Sequence, residues 1–81
     1  MDVNKIAQVY KDVRDSVVLE MINEETINTI RKELEARLPE YKIKCDYENN
    51  PQDVIDGGQV IAKVYDQQKY SHTYNYINLT F

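Results

Sequence analysis

The feature that most constrains the fold is a change in hydrophobic spacing around Pro39. Before it, apolar residues recur every three or four positions, as on one face of an amphipathic helix. From Tyr41 onward they recur at every second position, as in a half-buried strand. Because the residue before a proline is pushed out of the helical region, Pro39 should end the preceding helix. The sequence therefore predicts an α+β fold, with helices first and strands second.

Two helices are predicted in the first half. The apolar face of the first consists of Ile6, Val9, Val13 and Val17, with Tyr10 beside it, and that of the second of Ile27, Ile30, Leu34 and Leu38. Asn23 is a favourable N-cap for the second helix, since its side chain can accept a bond from an amide of the first turn. The β-branched run that begins at Val17 favours extended backbone, so a short extended piece is expected near Val17–Met21.

Three strands are predicted in the second half, over Tyr41–Tyr47, Val60–Tyr65 and Thr73–Phe81. The first and second flank a loop, which holds the turn residues Asn49, Asn50 and Pro51 and ends at Asp56-Gly57-Gly58. A hairpin connection is expected at Asp66–Lys69. We expect two helices packed on a small, mainly antiparallel three-stranded β-sheet, in a single domain spanning residues 1–81.

Composition and charge limit the classes of partner and the cellular compartment that can be expected. The net charge of −4 argues against binding to phosphate backbones or anionic membranes, so neither a nucleic acid nor a membrane is expected as a partner. No apolar run approaches the roughly 20 residues of a spanning helix, and the polar start lacks the apolar core of a signal peptide. The single cysteine, Cys45, excludes an internal disulfide and fits a reducing compartment. The expectation is synthesis in the cytosol.

The chain shows no constellation typical of catalysis, so we expect neither an enzyme nor a cofactor or metal site. Cys45 falls on the apolar side of its strand, where a free cysteine is usually a small buried hydrophobe. Two chemical alternatives stay open: a Cys45–His72 dyad, and a calcium loop around Asp46, Glu48 and Asn50, whose alternation Pro51 interrupts. Asp53 and Asp56 are expected to accept bonds from local backbone amides and so shape the loop.

Several segments together resemble the C-terminal domain of contractile phage tail sheath proteins. In that family a strand ending in Cys-Asp leads into an Asn-Pro loop and then an Ile-Asp pair, as in Tyr41–Asp46, Asn50-Pro51 and Val54–Asp56 here. The closing strand Tyr76–Phe81 is similar as well. So is Val18–Glu20, which with Asn23 looks like the family's extended segment before its second helix. The likeness covers roughly Val13 to Phe81.

The resemblance implies a structural part of a contractile tail, present in the virion. Sheath subunits carry outer domains for which this chain has no room, and Gln67–Lys69 replaces the family's basic-proline turn. A small sheath-like protein is therefore expected: a minimal sheath subunit, an initiator or a terminator. In the family this domain links subunits by exchanging terminal strands. That role would fall here on a flexible N-terminal arm at Met1–Lys5 and on the last strand, with sheath, tube or baseplate proteins or further copies as partners.

The last run itself favours association. From Tyr70 to Phe81 it contains no proline and no Lys, Arg, Asp or Glu, so it lacks the features by which proteins shield an edge strand. Such a strand suits addition to a partner's sheet. The expected interaction residues are Tyr74, Tyr76, Asn78, Thr80 and Phe81. Two alternatives remain: an ordinary strand in the middle of the sheet, and a small adaptor domain that binds one protein partner through this edge.

Overall fold

The computed structural model describes residues 1–66 and 75–81 and has the predicted α+β architecture. In chain order the elements are α1 (Val3–Ser16), α2 (Glu24–Arg37), β1 (Lys42–Lys44), α3 (Gln52–Asp56), β2 (Ile61–Asp66) and β3 (Asn75–Thr80). The two long helices pack on one face of the three-stranded sheet, and the core lies between these layers.

Both long helices begin at side-chain caps. The Asp2 carboxylate accepts a hydrogen bond from the Lys5 amide at the start of α1. At the start of α2, the Asn23 side chain accepts from the Thr26 amide while the Thr26 hydroxyl accepts from the Asn23 amide. This reciprocal pair confirms Asn23 as the N-cap. As Pro39 predicts, α2 ends at Arg37, and the predicted extended piece begins at Val17, whose backbone is extended.

The sheet has the order β1-β2-β3, and both neighbouring pairs are antiparallel. The last strand, β3, therefore lies at an edge of the sheet, and the alternative that placed it in the middle is wrong. The middle position belongs to β2, whose Val64 pairs with Ile43 on one side and with Ile77 on the other.

The predicted alternation of faces in the last strand is confirmed. Leu79 is buried and Ile77 is half-buried, whereas Tyr76, Asn78 and Thr80 are exposed. The inner face joins a core whose fully buried members include Val13, Ile27, Ile30, Leu34, Leu38, Cys45, Val60, Ala62 and Val64. Burial of these apolar side chains supplies the main favourable term in folding. The alternation leaves the opposite face of the sheet without a helix among the described residues.

The structure differs from the sequence-based expectation at the N-terminus and in the loop. Residues Val3–Lys5, expected as part of a flexible arm, form the first turn of α1, because the Asp2 cap starts the helix there. The strand expected over Tyr41–Tyr47 is shorter, since only Lys42–Lys44 pair with β2.

The loop after β1 contains a helical turn that the sequence analysis did not predict. Gln52–Asp56 form α3, with Pro51 at the N-cap position and a hydrogen bond of 2.7 Å from Gln52 Nε2 to Asp56 Oδ1. The half-buried side chain of Ile55 packs against the core, which anchors the turn. The predicted hairpin connection beyond Asp66 and the predicted start of the last strand at Thr73 lie outside the described residues.

Candidate protein-interaction edge

The direction of every backbone group in β3 follows from one pair of hydrogen bonds. The Val60 amide donates to the Phe81 carbonyl at 3.0 Å, and the Phe81 amide donates to the Val60 carbonyl at 2.8 Å. In an antiparallel ladder such reciprocal pairs recur at every second residue. The observed register therefore makes Leu79 and Ile77 the next positions whose backbone groups point toward β2.

The intervening residues of β3 direct their backbone groups away from the sheet. These are Tyr76, Asn78 and Thr80, and together they define what we call the outer edge of β3. At the opposite edge of the sheet, the same reasoning leaves Ile43 as the single outward-directed position within the three-residue β1. The outer edge of β3 is therefore the longer template for an added strand.

A tyrosine from α1 covers one end of this edge. The Tyr10 hydroxyl donates to the Thr80 carbonyl at 2.6 Å and accepts a hydrogen bond from Arg14 Nη1 at 3.0 Å. The Tyr10 ring also lies 4.9 Å, centroid to centroid, from the ring of Phe81. Because the Thr80 carbonyl already has this partner, the accessible part of the edge centres on Tyr76 and Asn78.

The side chains beside the edge are aromatic and cationic. Tyr76 is 56% exposed, and the ammonium of Lys63, on the neighbouring strand β2, lies 4.3 Å from the centroid of its ring. The same ammonium lies 5.8 Å from the ring of Tyr65. Attraction between a cation and the negative face of an aromatic ring holds the Lys63 ammonium beside the Tyr76 ring. Lys63 is absent from the ion pairs that the structure shows among the described residues.

The structure brings three of the five predicted interaction residues together. Tyr76, Asn78 and Thr80 are exposed along the outer edge of β3, whereas Tyr74 lies outside the described residues. Phe81 differs from the prediction, because its side chain is only 5% exposed and packs in the core. The burial follows from the alternation of the strand, which points Phe81 in the same direction as Leu79.

Sequence reasoning missed Tyr10 and Lys63 as parts of this site. Tyr10 was visible beside the apolar face of the first helix, and Lys63 on the polar side of its strand, but neither position indicates contact with the last strand. Both contacts depend on how the helix crosses the sheet and on which strands are neighbours. Spacing within a single element carries no signal for either.

The loop after β1 is held by two asparagine side chains. Asn50 is fully buried; its Oδ1 accepts from the Ile61 amide at 2.5 Å, and its Nδ2 donates to the Ile61 carbonyl at 2.8 Å. The side-chain amide thus bonds to β2 as a backbone residue of a neighbouring strand would. Asn49 Nδ2 donates to the Lys44 carbonyl at 2.8 Å, which fixes the loop to the end of β1.

Two acidic residues of this loop, Asp46 and Glu48, pair with the last residue of β1. The Lys44 ammonium lies 3.0 Å from Glu48 Oε2 and 3.5 Å from Asp46 Oδ2, and the bond to Glu48 raises the pKa of Lys44. Asp46 Oδ1 also accepts from the Glu48 amide at 3.0 Å. The expected bonds from backbone amides to the Asp53 and Asp56 carboxylates do not appear among the described residues; Asp56 Oδ1 accepts from the Gln52 side chain, and Asp46 is the residue of this loop whose carboxylate accepts from a backbone amide. Among residues 1–66 and 75–81, no three His, Cys, Asp or Glu side chains converge to hold a metal ion.

Cys45 is a core residue, as its position in the pattern predicts. It is 1% exposed, and its Sγ donates to the Ile27 carbonyl at 3.8 Å. Burial raises the pKa of the Cys45 thiol to about 11, which keeps it protonated at neutral pH. A nucleophilic cysteine requires the opposite shift. The proposed dyad partner, His72, lies outside the described residues.

No protein-family model, no curated protein and no solved structure matches the chain. The resemblance to the sheath domain therefore stays a prediction. No helix in the described part of the chain has the length and hydropathy needed to cross a bilayer. The outer edge of β3 is the feature from which a function can be argued.

Proposed function

We propose that this protein is a structural component of a contractile phage tail, sheath-like, that joins a neighbouring subunit through the outer edge of β3. The observation that carries the association is the row of backbone groups at Tyr76, Asn78 and Thr80 that point away from the sheet. An added strand would bond to these groups, apart from the Thr80 carbonyl that Tyr10 already occupies, and would extend the sheet. The assignment to a phage tail rests on the sequence resemblance, which implies a location in the virion after synthesis in the host cytoplasm.

The composition of β3 supports this use of the edge. Proteins usually protect an edge strand with charged side chains, proline or a bulge. The six residues of β3, Asn75–Thr80, include no charged residue and no proline. Among the described residues, the one cover over this edge is Tyr10, which contacts only the Thr80 end. A strand so lightly protected is suited to pairing with another chain.

The N-terminal segment favours some tail roles over others. Strand exchange between sheath subunits requires a donor arm as well as an acceptor edge. Here the Asp2 amide donates to the Tyr41 hydroxyl at 2.8 Å, and Lys5 forms an ion pair with Glu40 at 2.5 Å. These contacts hold the segment expected as an arm against the body of the protein. The arrangement favours an initiator or terminator, which accepts a strand from one neighbour, over a minimal sheath subunit that links two.

The same observation favours a second candidate function, a small adaptor that captures one protein partner through the outer edge of β3. A single acceptor edge suffices for that role. The two functions predict complexes of different architecture. Negative-stain microscopy of the protein mixed with sheath, tube or baseplate proteins should show defined rings or capped tubes for a tail component. A complex of fixed size with one partner supports the adaptor.

A proline at Asn78 tests the edge directly. The Asn78 amide points outward, so Asn78→Pro removes a donor from the outer edge and none from the ladder with β2. The matched control Asn78→Ser keeps the amide. We expect Asn78→Pro to fold, by circular dichroism, and to lose co-assembly in sedimentation with tail components, while Asn78→Ser retains it. Normal co-assembly of a folded Asn78→Pro protein would show that the outer edge of β3 is not the interface.

A further inference from the structure

We infer that the strand received by the outer edge of β3 belongs to a different protein and carries a single carboxylate, which the Lys63 ammonium binds. This inference rests on the proposed function, because it specifies the partner of the same edge. It is drawn from the position of the Lys63 side chain, whose ammonium contacts two aromatic rings but takes part in none of the ion pairs that the structure shows among the described residues.

The Lys63 ammonium is already displaced toward the edge where a partner would bind. Asn78 is the residue of β3 directly opposite Lys63. The Lys63 Nζ nevertheless lies 4.3 Å from the ring centroid of Tyr76, the diagonal neighbour. The ammonium is therefore closer to the Tyr76 ring of β3 than to the Tyr65 ring of its own strand, which is 5.8 Å away. Adjacent strands are spaced about 4.8 Å apart, so a strand added beside β3 would bring its outward-facing side chains within reach of this ammonium.

The geometry disfavours a second copy of the chain as the partner. Pairing of two outer edges about a twofold axis at Asn78 would place both Lys63 side chains on one face of the joined sheet. The backbones of the two Lys63 residues would be three strand spacings apart, about 14 Å, and both side chains would lean toward the boundary between the two copies. Like charges brought together across strands destabilise the pairing. A carboxylate on the incoming strand replaces this repulsion with attraction.

The number of carboxylates is limited by the charge of the whole protein. The chain carries a net charge of −4, so a strongly acidic partner is repelled at long range. The neighbouring lysine Lys44 is already bound by Asp46 and Glu48. Among the described residues, Lys63 is thus the cation next to Tyr76 and Asn78 that no ion pair occupies, whereas Arg14 lies at the Thr80 end and donates to Tyr10. The strand that fits has apolar residues on the core side and one glutamate or aspartate facing Lys63.

Short synthetic peptides provide the probe. In each, valine alternates with threonine, and the central threonine is replaced by glutamate, glutamine or lysine. Binding is followed by amide NMR shifts of the full chain, with Tyr76, Asn78 and Thr80 as reporters. An opposite-charge pair across strands contributes about 0.2–1 kcal/mol. The glutamate peptide should therefore bind up to about fivefold more tightly than the glutamine peptide, and the lysine peptide should bind most weakly.

Two protein variants assign the preference to one residue. Lys63→Met keeps the apolar stem and removes the charge, and it should make the glutamate and glutamine peptides bind equally. Lys42→Met is the matched control, because it makes the same change in net charge at an exposed position on β1, the far edge of the sheet. It should leave the preference for glutamate intact.

The outcomes separate this inference from the function on which it rests. Equal binding of all three peptides to the unaltered protein would overturn the carboxylate preference and leave strand addition standing. A glutamate preference that survives in Lys63→Met would overturn the role of Lys63 and would likewise leave strand addition standing. If none of the peptides shifts the reporter amides, strand addition at this edge fails, and the inference fails with it.

Discussion

At the scale of single residues, the side-chain amide of Asn50 holds the loop between β1 and β2 in place. It satisfies both backbone groups of Ile61 and donates to the Asp46 carbonyl at 3.0 Å. Asn50, which makes all of these bonds, is fully buried and so shielded from solvent. A buried polar group that loses its partner costs about 1–3 kcal/mol, so this one side chain has a large effect on stability.

Replacing Asn50 by aspartate should destabilise the protein strongly. Asn50→Asp keeps the shape and the acceptor for the Ile61 amide, but it turns the donor into an oxygen that faces the Ile61 and Asp46 carbonyls. We expect the free energy of unfolding to fall by about 2–4 kcal/mol at neutral pH, as measured by urea denaturation. Asn4→Asp, an exposed control in α1, should change it by less than about 0.5 kcal/mol. Equal stabilities of the two variants would contradict the role of Asn50.

The buried Cys45 thiol makes stability depend on alkaline pH. Its pKa is raised from the ordinary value of 9.0 to about 11 in the folded protein. Its contribution is therefore fully present below pH 9 and is lost as the pH rises toward 11, because the unfolded chain ionises first. Relative to Cys45→Ala, unaltered protein should lose at most about 2–3 kcal/mol across this window in urea titrations. A difference between the two that does not change with pH would contradict the burial of the thiol.

At the scale of elements, β3 has two faces, for which we expect separate roles. Ile77 faces the core opposite Val64, while Tyr76 faces outward beneath the Lys63 ammonium. The inner face should govern folding, and the outer face together with the outward backbone groups should govern association. Substitutions at adjacent positions can therefore separate the two.

A lysine introduced at each of these positions tests the division. Ile77→Lys buries a charge and should reduce the free energy of unfolding by 2 kcal/mol or more, roughly, so that assembly fails as well. Tyr76→Lys should alter stability by less than about 1 kcal/mol but weaken assembly, because it removes the exposed ring that would pack against an added strand and that the Lys63 ammonium contacts. Tyr76→Phe retains the ring and serves as the control. Chemical denaturation and co-sedimentation measure the two effects, and normal assembly of both lysine variants would place the interface elsewhere.

The elements themselves could largely be predicted from the sequence. The Asn23 cap marks where the second helix begins. The change of period at Pro39 and the alternation of the last strand indicate which residues are buried, and burial determines the faces of helices and strands. The helical turn α3 was missed because five residues are too few to show a period. Its stability comes from the packing of Ile55 against a core formed by distant parts of the chain.

At the scale of the whole molecule, the proposed function depends on the order of the strands, and this order was not predictable from the sequence. Alternation shows which face of β3 is buried but not which strands lie beside it. The Tyr10–Thr80 bond joins residues 70 positions apart, and the bonds of Asn50 to Ile61 span 11. Such contacts depend on the packing of the helices over the sheet, so the residues of the candidate site were predicted only in part.

The central claim is that the outer edge of β3 is open in the isolated protein and closes when a strand binds. Residue-resolved amide hydrogen exchange, measured on the dilute protein alone and with the glutamate peptide, tests it most directly. We predict slow exchange for the inward amides of Ile77 and Leu79 in both samples. The outward amides of Tyr76 and Asn78 should exchange fast alone and slow down with the peptide. Outward amides that are as protected as the inward ones in the dilute protein alone would contradict the claim.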